Sequence, residues 1–203
     1  TYRAGTAHLN AYLEDYAYFA EGLIDTYEAG GEERYLLASV RLAERMLADF
    51  ADSQHGGFFT TATGHEALIM RSREGPDGAT PSGNAVAASV LARLSSHFAR
   101  EDFREAATAA VRAYGRQIAR YPRAFAKSLI VVDFLMSGPA EIALVGRLGD
   151  QGMESLRAAV NRTYLPNRVL AHRDSDQSAT SHPLLQGKTL IDGKAAMYVC
   201  RNF

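Results

Sequence analysis

Between residues 75 and 88 the chain reads Gly-Pro-Asp-Gly-Ala-Thr-Pro-Ser-Gly-Asn-Ala-Val-Ala-Ala, a stretch dense in polar groups that no neighbouring pattern uses up. Pro76, Asp77 and Gly78 have the composition of a tight turn, in which proline presets φ and glycine takes a conformation that side chains resist. Thr80 then suits an N-cap, with Pro81 at the first helical position, where its missing N–H costs nothing. Asp77, Ser82 and Asn84 are thereby gathered at a helix N-terminus, whose free N–H groups and positive dipole end suit an anion or a hydroxyl-rich ligand. Arg71 and Glu74 precede this loop and can add charge-assisted hydrogen bonds. The competing reading assigns the same residues to turn and cap geometry alone.

Helices must position that loop. Apolar residues recur at three and four over about 12–29 (Leu13, Tyr16, Ala17, Ala20, Ile24, Tyr27), and again over about 33–52, with Gly30-Gly31 between. So short a connection makes the two helices an antiparallel pair. The period then changes: 55–62 and 66–71 flank Thr63-Gly64 and predict a short β-hairpin or two extended arms. Helical spacing returns from Thr80 to Phe98 and from Glu101 to Arg120, and this second pair repeats the first at an offset of about 68 residues, with Tyr35 falling on Phe103 and Ala38 on Ala106. A further helix over about 123–136 would open a third pair. Repeated helix pairs predict a solenoid or a closed α/α toroid.

Gly138-Pro139 marks a boundary, giving domains 1–138 and 139–203. Beyond it, Glu141–Gly146 reads as a buried strand. Asp150 can cap a helix carrying Met153, Leu156, Ala159, Val160 and Tyr164. Arg168–His172 reads as a second strand, parallel to the first in a βαβ unit. Asp192-Gly193 is a turn and 195–200 a third strand. The fold expected is mainly α: antiparallel helix pairs forming part of an (α/α) toroid with a β-excursion, plus a small C-terminal α/β module.

Composition narrows the function. A net charge of −1 over 203 residues carries no footprint of nucleic acid or of an anionic membrane, and no apolar run reaches the length of a membrane span. A start at Thr1 without Met suggests a fragment. The single cysteine, Cys200, allows neither an internal disulfide nor a cysteine zinc cluster, and fits a reducing cytoplasm. None of the six histidines is spaced for a shared metal, so no metal ligand is expected. Gly146-x-x-Gly149-x-x-Gly152 is not the dinucleotide spacing Gly-x-Gly-x-x-Gly, and no cofactor is expected. Tryptophan, the strongest sugar-stacking residue, is absent, but ten tyrosines can stand in.

Leu13-Glu-Asp-Tyr-Ala17, Gly56-Gly-Phe-Phe-Thr60, Arg71 with Asp77-Gly-Ala-Thr-Pro-Ser-Gly-Asn84, Tyr121-Pro122, Glu141–Gly146 and Tyr198–Phe203 together resemble the thioredoxin-domain proteins that include the spermatogenesis-associated thioredoxin-like proteins and their bacterial homologues. That resemblance implies an N-terminal thioredoxin-like domain with Cys-x-x-Cys, followed by a toroid similar to six-hairpin glycosidases and N-acylglucosamine 2-epimerases. This chain matches the C-terminal part. It lacks Cys-x-x-Cys and has fewer helices than a closed ring, so its implied partners are the missing helices and thioredoxin-like domain of the same polypeptide, or a second copy. In a toroid the loops at one end line a cleft. Asp15 and Asp77 are then the acid/base candidates, since sugar-cleaving enzymes use a protonated and an ionised carboxyl. Tyr16, Phe58, Arg71, Glu74, Ser82 and Asn84 are the candidate substrate contacts, with His55 and His65 in the same loop for epimerase-like proton transfer. Two readings stay open: a section of a carbohydrate-active enzyme, glycosidase- or epimerase-like, or a non-catalytic docking platform.

Overall fold

The computed structural model describes residues 2–65, 70–176 and 182–201. A two-residue hairpin, β1 (Tyr2–Arg3) and β2 (Thr6–Ala7), leads into α1 (Leu13–Gly30). Gly31 ends that helix in the left-handed conformation with its N–H on the Tyr27 carbonyl at 2.7 Å. Then α2 (Glu33–Phe50) returns antiparallel, burying Leu36, Ala43, Met46 and Phe50 against Ala17, Ala20 and Ile24 of α1. The expected first pair is present.

Residues 51–65 and 70–80 form no strand; an isolated bridge joins Ala51 to Phe58. The expected β-hairpin is corrected here for the described residues, while 66–69, the start of its second arm, lie outside them. Gly56 and Gly57 both take positive φ and turn the chain out of ladder geometry. Single backbone bonds, such as the Phe59 N–H on the Phe50 carbonyl and the Thr60 N–H on the Ser72 carbonyl, both at 2.8 Å, and side chains such as Asn84 satisfy its backbone in place of a ladder.

The next helix, α3 (Gly83–Phe98), begins later than expected. Ser82, not Thr80, is its N-cap, and the Ser82 hydroxyl accepts the Ala85 N–H at 3.2 Å. The reason is Asp77, whose carboxylate accepts the Ser82 N–H at 2.9 Å and holds residues 78–82 in a loop before the helix can start. The expected 101–120 helix is split into α4 (Glu101–Arg112) and α5 (Gly115–Arg120). Tyr114 leaves helical geometry at the break, and its ring fills the space that a Cβ on Gly75 would occupy, 2.3 Å away. A 3-10 turn (Pro122–Phe125) then opens α6 (Ala126–Ser137).

Three helices lie side by side and run the same way. Glu21 meets Ser89, Asp25 meets Arg93 and Glu28 meets His97, so α1 and α3 are parallel. The Lys127 N–H bonds the loop before α3, and the Leu135 carbonyl faces Arg104 at the start of α4, which makes α6 parallel to α3. Behind them, α2 and α4 pack antiparallel on α1 and α3 respectively.

The sheet has the order β4-β3-β5, with β3 (Ala140–Gly146) parallel to β4 (Arg168–Asp174) and antiparallel to β5 (Ala196–Cys200). The period of two decides both faces. Ala143, Val169 and Ala171 join the helical core, while Ile142, Leu144 and Leu170 face α7 (Gln151–Arg162) through Met153 and Val160. Every residue of β3 is therefore buried. Tyr164 corrects the expected α7 pattern: it lies beyond the helix and is 89% exposed. No helix of the described residues is long and apolar enough to cross a membrane.

Candidate functional site: a charged face on three parallel helices

Spacing along α1 puts Glu21, Asp25 and Glu28 on one stripe; spacing along α3 does the same for Ser89, Arg93 and His97. Because the two helices are parallel, each acid meets a partner at its own level. Ser89 donates to Glu21 at 2.8 Å, and Lys127 of α6 reaches the same oxygen at 2.6 Å. Arg93 bonds Asp25 at 2.7 Å and stands 3.1 Å from Glu28. These groups line a cavity of about 570 Å3, walled by Ile130 and Phe134 of α6 and closed on its far side by residues 161–168, with Tyr164 at the rim.

Behind the cavity the charge continues into the core. His97 Nε2 stands 3.5 Å from Glu28 Oε1, longer than a well-formed hydrogen bond, and His97 Nδ1 lies 3.3 Å from His182 Nε2. His172 Nε2 faces the Glu28 carbonyl at 2.8 Å, and the Tyr27 hydroxyl accepts the His172 backbone N–H at 3.1 Å. Burial alone would raise the Glu28 carboxyl, but His97 and the Arg93 guanidinium outweigh it and hold Glu28 down to about 2. Burial pushes the His97 imidazole down further than Glu28 lifts it, and pushes His182 down to about 3. Both rings are neutral at pH 7. A carboxylate only accepts, so a proton on His97 Nε2 suits its approach to Glu28, while His97 Nδ1 and His182 Nε2 lie within hydrogen-bond reach of each other. His182, His97, Glu28 and Arg93 thus form a row of buried polar groups whose last member reaches the cavity.

The eight residues expected at a site lie elsewhere, and none lines this cavity. Asp15 accepts the Tyr12 backbone N–H at 2.8 Å in the first turn of α1. Asp77 accepts the N–H groups of Ser82 and Lys127, both at 2.9 Å, and so ties the starts of α3 and α6 together. Ser82 caps α3. Asn84 accepts the Phe58 N–H at 2.7 Å and donates to the carbonyls of Phe58 and Glu74 at 2.9 and 3.0 Å. This brings Phe58, Glu74 and Asn84 into one buried knot, with the Phe58 ring in the core. Arg71 donates to the carbonyls of Thr61 and Asp49 and stacks on Phe59, 4.1 Å from the ring centre. Tyr16 packs against Phe50 at 5.3 Å.

The residues that do share a cavity had a sequence signal. Applying the 68-residue offset to α1 places Glu21 on Ser89 and Asp25 on Arg93, the pairs that meet in space. The link through His182 has no such signal, because His97 and His182 are 85 residues apart with no repeat between them.

No family model matches the chain. It is similar to spermatogenesis-associated protein 20 of Homo sapiens, 31% identical over 195 residues, which cover 94% of this chain and 25% of the human protein. The mouse protein of the same name is 29% identical over the same length and the same shares. An uncharacterized protein of Caenorhabditis elegans is 27% identical over 204 residues, covering 98% of this chain and 27% of the relative. The chain thus has homologues named spermatogenesis-associated protein 20, and spans about a quarter of the length of the curated relatives it matches.

Proposed function

We propose that the chain is the C-terminal section of a longer thioredoxin-domain protein. Its helix pairs form a sector of an α/α ring, and the face of Glu21, Asp25, Arg93 and Lys127 is the wall of a cleft that binds a carbohydrate. The observation that carries this reading is the turning of charged residues from three parallel helices towards one cavity of about 570 Å3, a size suited to a small ligand. Helices that merely pack would present apolar residues there. A sugar supplies what the wall asks for: hydroxyls that both donate to carboxylates and accept from Lys127 and Arg93, and a ring face for the exposed Tyr164.

Binding fits the electrostatics better than hydrolysis. Glycosidic cleavage needs a carboxyl that keeps its proton near neutral pH. Glu28 is held down to about 2 and so does not supply that proton. The docking reading has its own observation: α6 exposes Leu129 and Met136, and α1 exposes Phe19, as flanks on which further helices of the longer protein would pack.

Thermal shift of the full chain against a library of mono- and disaccharides tests the reading, because a ligand bound only by the folded state raises the melting temperature. The expected result is a concentration-dependent rise with at least one sugar, lost in Lys127→Met and in Tyr164→Ala. A flat response across the library, or a rise that both variants keep, contradicts it.

A further inference from the structure

The two sides of the cleft are charged unequally. On the helix side every carboxylate has a cation beside it: Glu21 stands 2.6 Å from Lys127, and Asp25 and Glu28 stand 2.7 and 3.1 Å from Arg93. The far side is the connection from α7 to β4, which brings Arg162 and Arg168 to the same cavity. It supplies no acid, since residues 161–168 read Asn-Arg-Thr-Tyr-Leu-Pro-Asn-Arg.

Neither arginine has a carboxylate partner among the described residues. The half-buried Arg168 donates to the Val160 carbonyl at 3.3 Å and to the Asn161 side-chain oxygen at 3.2 Å. Both acceptors are neutral, so they fix the guanidinium in place without cancelling its charge, and they leave several of its N–H donors over. Arg162, in the last turn of α7, is exposed and bonds to no described residue. The carbonyl end of α7 favours a cation at both places, but a helix end carries only about half a negative charge against two whole positive ones. An excess of positive charge therefore faces the cavity from a side chain that solvent and ligand can reach.

A neutral sugar answers the helix side and leaves this positive side to water. We propose that the cleft binds an acidic sugar, a monosaccharide carrying one carboxylate or phosphate, with the anionic group on Arg162 and Arg168 and the hydroxyls on the helix wall. The planar fork of a guanidinium matches either oxyanion. The same unequal charge sets the orientation, because the reversed sugar would bring its anion against Glu21 and Asp25. The proposal rests on the reading of this cavity as a sugar cleft and names the class of sugar.

The test is calorimetric titration of the full chain, at low salt so that the charge is little screened. Glucose, galactose and mannose are each compared with the uronate and the 6-phosphate of the same configuration, and acetate and inorganic phosphate present the charge alone. The expected result is that in at least one configuration an acidic form binds about tenfold tighter than the neutral sugar, while acetate and phosphate bind far more weakly than it does. Whichever acidic form binds tighter identifies the anion as carboxylate or phosphate. Arg162→Gln, an exposed change, should weaken binding of that acidic sugar about threefold to fivefold, as loss of a part-exposed ion pair does. Equal affinity for neutral and acidic forms would overturn this proposal and leave the sugar reading standing, whereas no binding by any sugar would overturn both. Binding of acetate or phosphate as tight as that of the acidic sugar, or an affinity unchanged in Arg162→Gln, would also overturn it.

Discussion

Asn84, a candidate substrate contact, and Gly75, at the head of the same polar stretch, show how that stretch serves backbone geometry in a loop without strands. The Asn84 amide makes three hydrogen bonds to two backbone segments from a position 3% exposed. Asn84→Ala should therefore cost about 2–4 kcal/mol, since each buried backbone group left unpaired carries a desolvation penalty of roughly 1–3 kcal/mol. Chemical denaturation measures this directly; a loss below about 0.5 kcal/mol would mean that water replaces the amide. At Gly75 a methyl group would fall 2.3 Å from the Tyr114 ring, so Gly75→Ala should cost about 1–3 kcal/mol by overpacking. Gly78→Ala, whose nearest atom would be 4.0 Å away, should stay within about 0.5 kcal/mol. Sequence made both residues visible but not their roles. The types Asp, Ser and Asn at a helix start are the same for a ligand site and for a cap, and only the partner decides between them.

At the scale of elements, helix existence was legible because burial on one face imposes its period on the letters. Starts and breaks were not, because they depend on contacts distant in sequence: Asp77 delays α3 to Ser82, and the Tyr114 ring interrupts the 101–120 run. The contact between α1 and α3 was half legible. The 68-residue repeat contains the pairs Glu21 with Ser89 and Asp25 with Arg93, but misses the third pair, Glu28 with His97, by one residue and gives no sign of His182 beside it. This contact also predicts how stability depends on pH. His182 falls from its ordinary 6.5 to about 3, so the unfolded chain binds its proton first, and stability complete above pH 6.5 is lost progressively as pH falls towards 3. Glu28 falls from 4.5 to about 2, so its contribution is present above pH 4.5 and lost as pH falls through 2. Both act in the same direction. Melting temperature should begin to drop below pH 6.5, before ordinary carboxylates titrate, with His182 alone accounting for on the order of 5 kcal/mol at the acid end. A melting curve flat from pH 7 to 5 would contradict a neutral buried His182. Glu28→Gln should cost about 3–5 kcal/mol, because it leaves Arg93 without its inner partner.

For the whole molecule, one rule covers the helices and the sheet: each layer is buried by the next. Ala143, Val169 and Ala171 fasten the sheet to the helical core, and α7 covers its other face. The rule stops at the flanks of α1 and α6. Phe19 is 64% exposed and Met136 is 82% exposed, with no further layer over them among the described residues. The chain by itself should accordingly self-associate, and Phe19→Lys with Met136→Lys should shift it towards monomer in sedimentation velocity without lowering its melting temperature; an unchanged distribution would contradict the flank reading. Between those flanks lies the charged cleft, on which the functional account depends. Its most direct test is calorimetric titration of the sugar giving the largest thermal shift into the wild-type chain and into Arg93→Met. The account predicts saturable one-site binding to the wild type and at least a tenfold loss in the variant, about 1.4 kcal/mol. Equal affinity for both proteins would place the sugar outside the cleft and contradict the account.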